Sequence, residues 1–153
     1  MPAASITVSS RLPMPAPVAW GRATSMSGIA HELWPLLQMT VPAHLTGLTV
    51  ADAPLGVRVA RSRLLLLGVL PVGRIDVTLV ELTEGRFVEE SPMTGMRRWR
   101  HERTVVPDGD KACVVTDRLT VEPRLRLLAP AVRLLVRGLF AHRHHRLRQV
   151  RMR

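Results

Sequence analysis

The stretch RRWRHERTVVPDGDKACVVTDRLTV (residues 97–121) decides the fold. Two β-rich runs, 97–106 and 111–122, flank Pro107-Asp108-Gly109-Asp110, whose residue types favour a turn. The stretch therefore reads as a hairpin of two antiparallel strands. Successive side chains on a strand alternate faces. Trp99, His101, Arg103 and Val105 then share one face, as do Cys113, Val115, Asp117, Leu119 and Val121 on the return strand. Their apolar members mark these faces as interior, which turns His101, Arg103 and Asp117 inward. Centring the turn on residues 108–110 sets Asp117 across from His101, or from Arg103 if the register moves by two. Either register puts a polar pair within cross-strand reach. A carboxylate alone in an apolar interior costs several kcal/mol or becomes protonated, so pairing is expected.

Upstream, residues 56–67, 74–82 and 86–91 are further β-rich runs. Pro71-Val72-Gly73, Glu84-Gly85 and the segment from Pro92 to Gly95 separate them as turns. Consecutive strands with short turns predict an antiparallel meander. Residues 5–12 read as a first strand, followed by Pro13, Pro15 and Pro17 and a short helix over 18–23. A second helix is expected over 28–38 with Ser27 capping it and Pro35 ending or kinking it. At the other end, Leu128, Val132, Leu135 and Leu139 recur at helical spacing, with Leu125 and Val136 widening the stripe. Arg126, Arg133 and Arg137 lie on another side. Pro130 suits a first turn, so the regular helix is expected from near Ala129 and the whole helical segment over about 125–150, roughly 30 Å of it regular. These elements predict an α+β architecture: an antiparallel sheet curved around a long C-terminal helix, with two short helices near the N-terminus.

The chain of 153 residues fits a single domain spanning 1–153. One cysteine, Cys113, excludes an internal disulfide and a Cys-based zinc site. The longest apolar run, 64–70, is far short of the ~20 residues a spanning helix needs, and no secretory signal is visible, so a cytoplasmic protein is expected. The net charge is +10, yet no acidic residue follows Glu122 while nine arginines do. The rest of the chain, with 13 basic and 12 acidic residues, is nearly neutral. Basic charge alone invites nucleic acid, but with no Tyr, two Phe and three Trp there are few stacking platforms and no recognisable binding motif, which argues against it. His142 and His145 have i, i+3 spacing but sit amid arginines with no carboxylate, so no metal is expected. No phosphate-cradling loop or nucleophile motif is present, and no cofactor is expected.

The run from Met93 through Trp99, His101 and Arg103, with Thr116-Asp117-Arg118, resembles the central hairpin of the SRPBCC (START-like, helix-grip) superfamily. The opening ITVSSRLPMPAPVAW and the ending from Leu139 to Leu147 are similar to that superfamily's first strand and final helix. The resemblance implies a pocket between sheet and C-terminal helix for a small hydrophobic ligand such as a lipid, a polyketide or an aromatic compound. Met93, Trp99, His101, Arg103, Asp117, Leu119, Leu135 and Leu139 are the candidate ligand-binding residues. The resemblance equally implies a polyketide aromatase/cyclase, with His101, Asp117 or Glu90 as candidate acid/base groups. A third reading is an interaction module whose Arg-rich helix meets an acidic partner or makes peripheral contact with an anionic membrane. An apolar stripe needed to close the core argues against the membrane. A structural ion pair competes with the catalytic reading of the inward trio. Glu89 or Glu90 must point inward, and a salt bridge to an arginine is expected there. Glu32 is read as a helix-opening acid favoured by the dipole. Met14, Met26, Met39, Met93 and Met96 are cavity-lining or core residues, and either a monomer or a homodimer is expected.

Overall fold

The computed structural model describes residues 4–41, 49 and 53–150. Strand β1 (Ala4–Leu12) leads into helices α1 (Ala16–Ala23) and α2 (Met26–Leu33). Six strands follow: β2 (Leu37–Met39), β3 (Arg58–Leu66), β4 (Leu70–Thr83), β5 (Arg86–Glu90), β6 (Met96–Pro107) and β7 (Cys113–Pro123). Helix α3 (Ala129–Gln149) closes the described chain. The strands form one curved antiparallel sheet in the order β1-β7-β6-β5-β4-β3-β2. It is the expected meander, with the first strand added beside the last. Helix α3 packs across β1 and β7 and against α2.

Local chemistry moves several boundaries. Ser25, not Ser27, caps α2, its hydroxyl accepting from the Gly28 N–H at 3.0 Å. The helix stops at Leu33, two residues before Pro35, because the residue preceding a proline avoids the helical region. Residues 37 and 38, expected to be helical, belong instead to β2, which pairs with β3. The β3–β4 turn lies at Leu67-Gly68-Val69 rather than at Pro71-Val72-Gly73. Leu67 and Gly68 both take positive φ, of 53° and 76°, which glycine adopts freely. Pro71 sits inside β4 at a register irregularity, where a missing donor is tolerated.

The face that α3 buries also differs from the one expected. Val136, Phe140, Arg143, His144 and Leu147 are buried, while Leu128 and Leu135 are exposed and Val132 and Leu139 are half-buried. Two apolar clusters result. Leu12, Met14, Ala19, Cys113, Val115 and Leu147 form one. Ile6, Ile75, Trp99, Leu119, Val136 and Phe140 form the other.

Candidate functional site

Strands β6 and β7 pair in the second of the two registers open to the sequence: Arg103 stands across from Asp117, and His101 from Leu119. The inner faces are those expected, with His101, Arg103 and Asp117 all buried. Asp117 accepts four hydrogen bonds. Arg103 donates through Nε and Nη2 at 2.7 Å each, His101 through Nε2 at 2.6 Å, and His144 through Nε2 at 2.7 Å. Arg103 turns its remaining donors to Glu32, with Nη1 and Nη2 at 3.0 and 2.7 Å. Glu32 also accepts from Arg143 Nε at 3.2 Å.

The network ends on β1. His144 gives its Nε2–H to a carboxylate, so in the neutral ring Nδ1 is an acceptor, and it meets Ser10 Oγ at 2.8 Å. That hydroxyl accepts in turn from Arg148 Nη1 at 2.8 Å. Two buried carboxylates are thus matched by two guanidiniums. Among the described residues no buried side-chain nitrogen or oxygen lacks a partner. Burial pushes the Asp117 carboxyl up, but the adjoining Arg103 charge outweighs it and holds the group well below the usual carboxylate range. Glu32 is lowered likewise, burial being outweighed by Arg103 and Arg143.

Three parts of this network depart from the sequence expectations. Glu32 lies near the end of α2, not its start, and is an ion-pair partner rather than a dipole-stabilised surface acid. Arg143 and Arg148 belong to an arginine-rich segment read above as a surface for an acidic partner or a membrane, yet Arg143 is buried on Glu32 and the exposed Arg148 bonds Ser10. His144 stands out in the sequence only as a neighbour of the metal-type pair His142 and His145. Those two in fact diverge, one meeting the Trp34 carbonyl and the other Gln149. Arg151 and Arg153 lie outside the described residues.

Beside the network, a cavity of about 580 Å³ opens between α3 and the sheet, within the usual range for small-molecule sites. Among the described residues, only six of the thirty that line it carry polar side chains of the charged, hydroxyl or imidazole kind: Thr49, Arg58, Ser62, Glu89, His101 and Arg143. Of the sequence candidates, Met93, Trp99, His101, Leu135 and Leu139 line it. Arg103, Asp117 and Leu119 do not. They are fully buried and form no part of its wall. Met26, Met39 and Met96 also line the cavity, whereas Met14 is packed in the first cluster.

Glu90 requires correction: it pairs with Arg98 at 3.1 Å on the outer side and is not beside His101. Alternation along β5 brings Glu89 to the cavity instead. Glu89 stands across from His101 in the β5–β6 register and accepts from Trp99 Nε1 at 3.0 Å. The two phenylalanines of the chain flank His101 edge-on, Phe87 at 5.5 Å and Phe140 at 5.0 Å between ring centroids. The Arg143 guanidinium lies 4.8 Å over the Phe140 ring. His101 is therefore held by its Nε2 bond and by rings on two sides. Its Nδ1 makes none of the network's hydrogen bonds.

Residues 10–151 match the family described as Domain of unknown function (DUF8410). No curated protein matches the chain. Among solved structures, it is similar to a START superfamily protein from Mycobacterium smegmatis, at 14% identity and TM-score 0.69 over 94% of each chain. It is also similar to norcoclaurine synthase from Thalictrum flavum in complex with dopamine and hydroxybenzaldehyde. There the identity is 15% and the TM-score 0.63, over 96% of this chain and 85% of that one. A third likeness is to DynU16, a protein of the dynemicin biosynthetic locus, at 12% identity and TM-score 0.56, over 95% of this chain and 47% of that one. The likeness at these identities is one of fold. The expected helix-grip architecture is thereby borne out.

Proposed function

We propose that this chain, which belongs to the DUF8410 family, binds one small, largely apolar molecule in the cavity between α3 and the sheet. The observation that carries this reading is a 580 Å³ space walled mainly by aliphatic, methionine and aromatic side chains. Its polar groups, Glu89, His101 and Arg143, sit near the aromatic cluster and would fix the orientation of a carbonyl, hydroxyl or carboxylate on the ligand. The cavity-lining candidates Met93, Trp99, His101, Leu135 and Leu139 keep their role, with Glu89 and Arg143 added. An environment-sensitive apolar dye tests the proposal. The protein should bind the dye, and Leu64→Trp, which fills the cavity, should weaken that binding at least tenfold while leaving a folded circular-dichroism spectrum. Equal dye binding by the folded variant refutes the cavity as the site.

A second reading, proton-transfer catalysis on a bound polyketide or aromatic compound, is favoured by one specific observation. Asp117 and the two phenylalanines fix the His101 ring, the preorganisation a general base needs. Native mass spectrometry of the protein from its own host would identify a co-purifying molecule. If His101→Ala abolished turnover of that molecule yet spared its binding, the enzyme reading would replace the carrier reading.

A further inference from the structure

We propose that the β3–β4 hairpin tip and the adjoining rim of the cavity form a docking surface for an anionic lipid bilayer. The tip carries Leu67, Val69 and Leu70 outward, with Val69 79% exposed. The ring of Trp34, itself 50% exposed, lies against the turn, close enough that a Cβ on Gly68 would stand 3.0 Å from it. On the helix side, Leu135 is 72% exposed. Val72 from the hairpin and Leu135 from α3 both line the cavity, so the exposed apolar groups border its mouth. Apolar side chains scattered singly over a surface need no explanation, but a protruding turn built from them does.

The charges around the tip choose the partner. No acidic residue occurs between 53 and 75. Arg63 and Arg74 stand directly across from one another in the β3–β4 ladder, and among the described residues neither makes an ion pair. Their neighbour Arg61, by contrast, is paired with Asp76 at 2.9 Å. Like charges directly opposite on a sheet repel, and an external anion relieves that repulsion. Three rungs separate this pair from the Leu66–Leu70 rung at the tip, or about 10 Å at ~3.3 Å per residue. An interfacial segment sinks ~5–10 Å into the headgroup and acyl boundary, which would bring the two guanidiniums to the level of the lipid phosphates. Trp34 then occupies the interface, where indole rings concentrate.

One apolar stripe of α3 could not both close the core and meet a bilayer. The structure divides those tasks, since Val136, Phe140 and Leu147 close the core and Leu135 is left outside. An acidic protein would satisfy the arginines but would need a cleft shaped for the projecting turn. A fluid bilayer closes around such a turn without one. An apolar occupant leaving the cavity at this mouth passes into hydrocarbon and avoids water.

Co-flotation of the full chain with vesicles tests the surface directly. Vesicles of equal parts phosphatidylcholine and phosphatidylserine should carry the protein, and phosphatidylcholine alone should carry much less. An arginine near an anionic surface contributes about fivefold to binding, so R63Q/R74Q should weaken it roughly twentyfold. V69E should lose it too, and neither variant should change thermal unfolding or dye binding in the cavity. Absence of flotation by the wild type at low salt overturns the proposal, as does undiminished flotation by folded V69E. Retention by an acidic protein, lost in R63Q/R74Q but kept in V69E, would also overturn it and assign the surface to a protein partner.

Discussion

Replacing Arg103 by methionine isolates what the buried network contributes. The guanidinium is wholly buried and makes four hydrogen bonds, two to each of two buried carboxylates. Breaking one buried ion pair by removing a partner costs ~3–5 kcal/mol, because the other charge is stranded. Here two partners are affected, but Asp117 keeps both imidazole donors and Glu32 keeps Arg143. The cost should therefore lie near the top of that range, about 5 kcal/mol, rather than double it. At roughly 2–4 °C per kcal/mol for a chain of this size, Tm should fall by ~10–20 °C. Urea unfolding followed by circular dichroism reads the free energy. In R103M/D117L the lost charges cancel and the Glu32–Arg143 pair survives, but the buried His101 and His144 N–H groups lose their acceptor at ~1–3 kcal/mol each, so the double variant should recover little of the loss. The pH dependence has a definite sign. Glu32 and Asp117 have lowered folded-state pKa values, so their stabilisation is full above the unfolded values and is lost as pH falls below about 4–5. Without Arg103, burial pushes both groups upward, and the variant gains on the wild type over the same acid range. A loss under about 1 kcal/mol, or a gap unchanged between about pH 7 and pH 4, refutes this account of the network.

Two glycines give opposite outcomes. Gly138 lies on the exposed side of α3, and nothing stands within 4 Å of where a Cβ would sit, so Gly138→Ala should stabilise by about 0.5–1 kcal/mol. At Gly28 a Cβ would stand 1.9 Å from the Arg22 carbonyl oxygen, so Gly28→Ala should destabilise despite its better helix propensity. Thermal melts of the pair check both signs. Phe140→Ala should cost ~3 kcal/mol, the low end for a buried phenylalanine, because one side of the ring already faces the cavity. The same change frees the His101 ring, so dye affinity should shift in the folded variant, and an unchanged affinity would speak against the aromatic clamp.

The inner face of the 97–121 hairpin was legible because a period of two with apolar neighbours leaves little freedom. The register was not, since a turn centred on Asp108 to Asp110 sets Asp117 across from His101, whereas the observed loop between Pro107 and Cys113 centres on Asp110 and moves the pairing by two. Glu32, Arg143 and His144 were hidden for a different reason. A leucine-weighted stripe over Leu128, Val132, Leu135 and Leu139 masks the buried face, whose middle members are an arginine and a histidine. A usable signal existed. Arg103 has more donors than Asp117 can accept, so an inward Arg103 needed a further acceptor, and Glu32 was one available on a short helix. At β5, Glu89 was one of two readings, and only the ladder shows which glutamate turns toward Trp99.

With no tyrosine in the chain, its near-ultraviolet emission comes from three indoles, and the fold gives each a separate post. Trp99 sits in the cavity wall on Glu89, Trp20 packs on Phe87 behind it, and Trp34 stands half-exposed against the β3–β4 turn. Single-tryptophan versions would make the molecule its own optical probe. Trp99 would report occupancy and Trp34 contact with a surface, so loading and docking can be timed separately in one cuvette without a label.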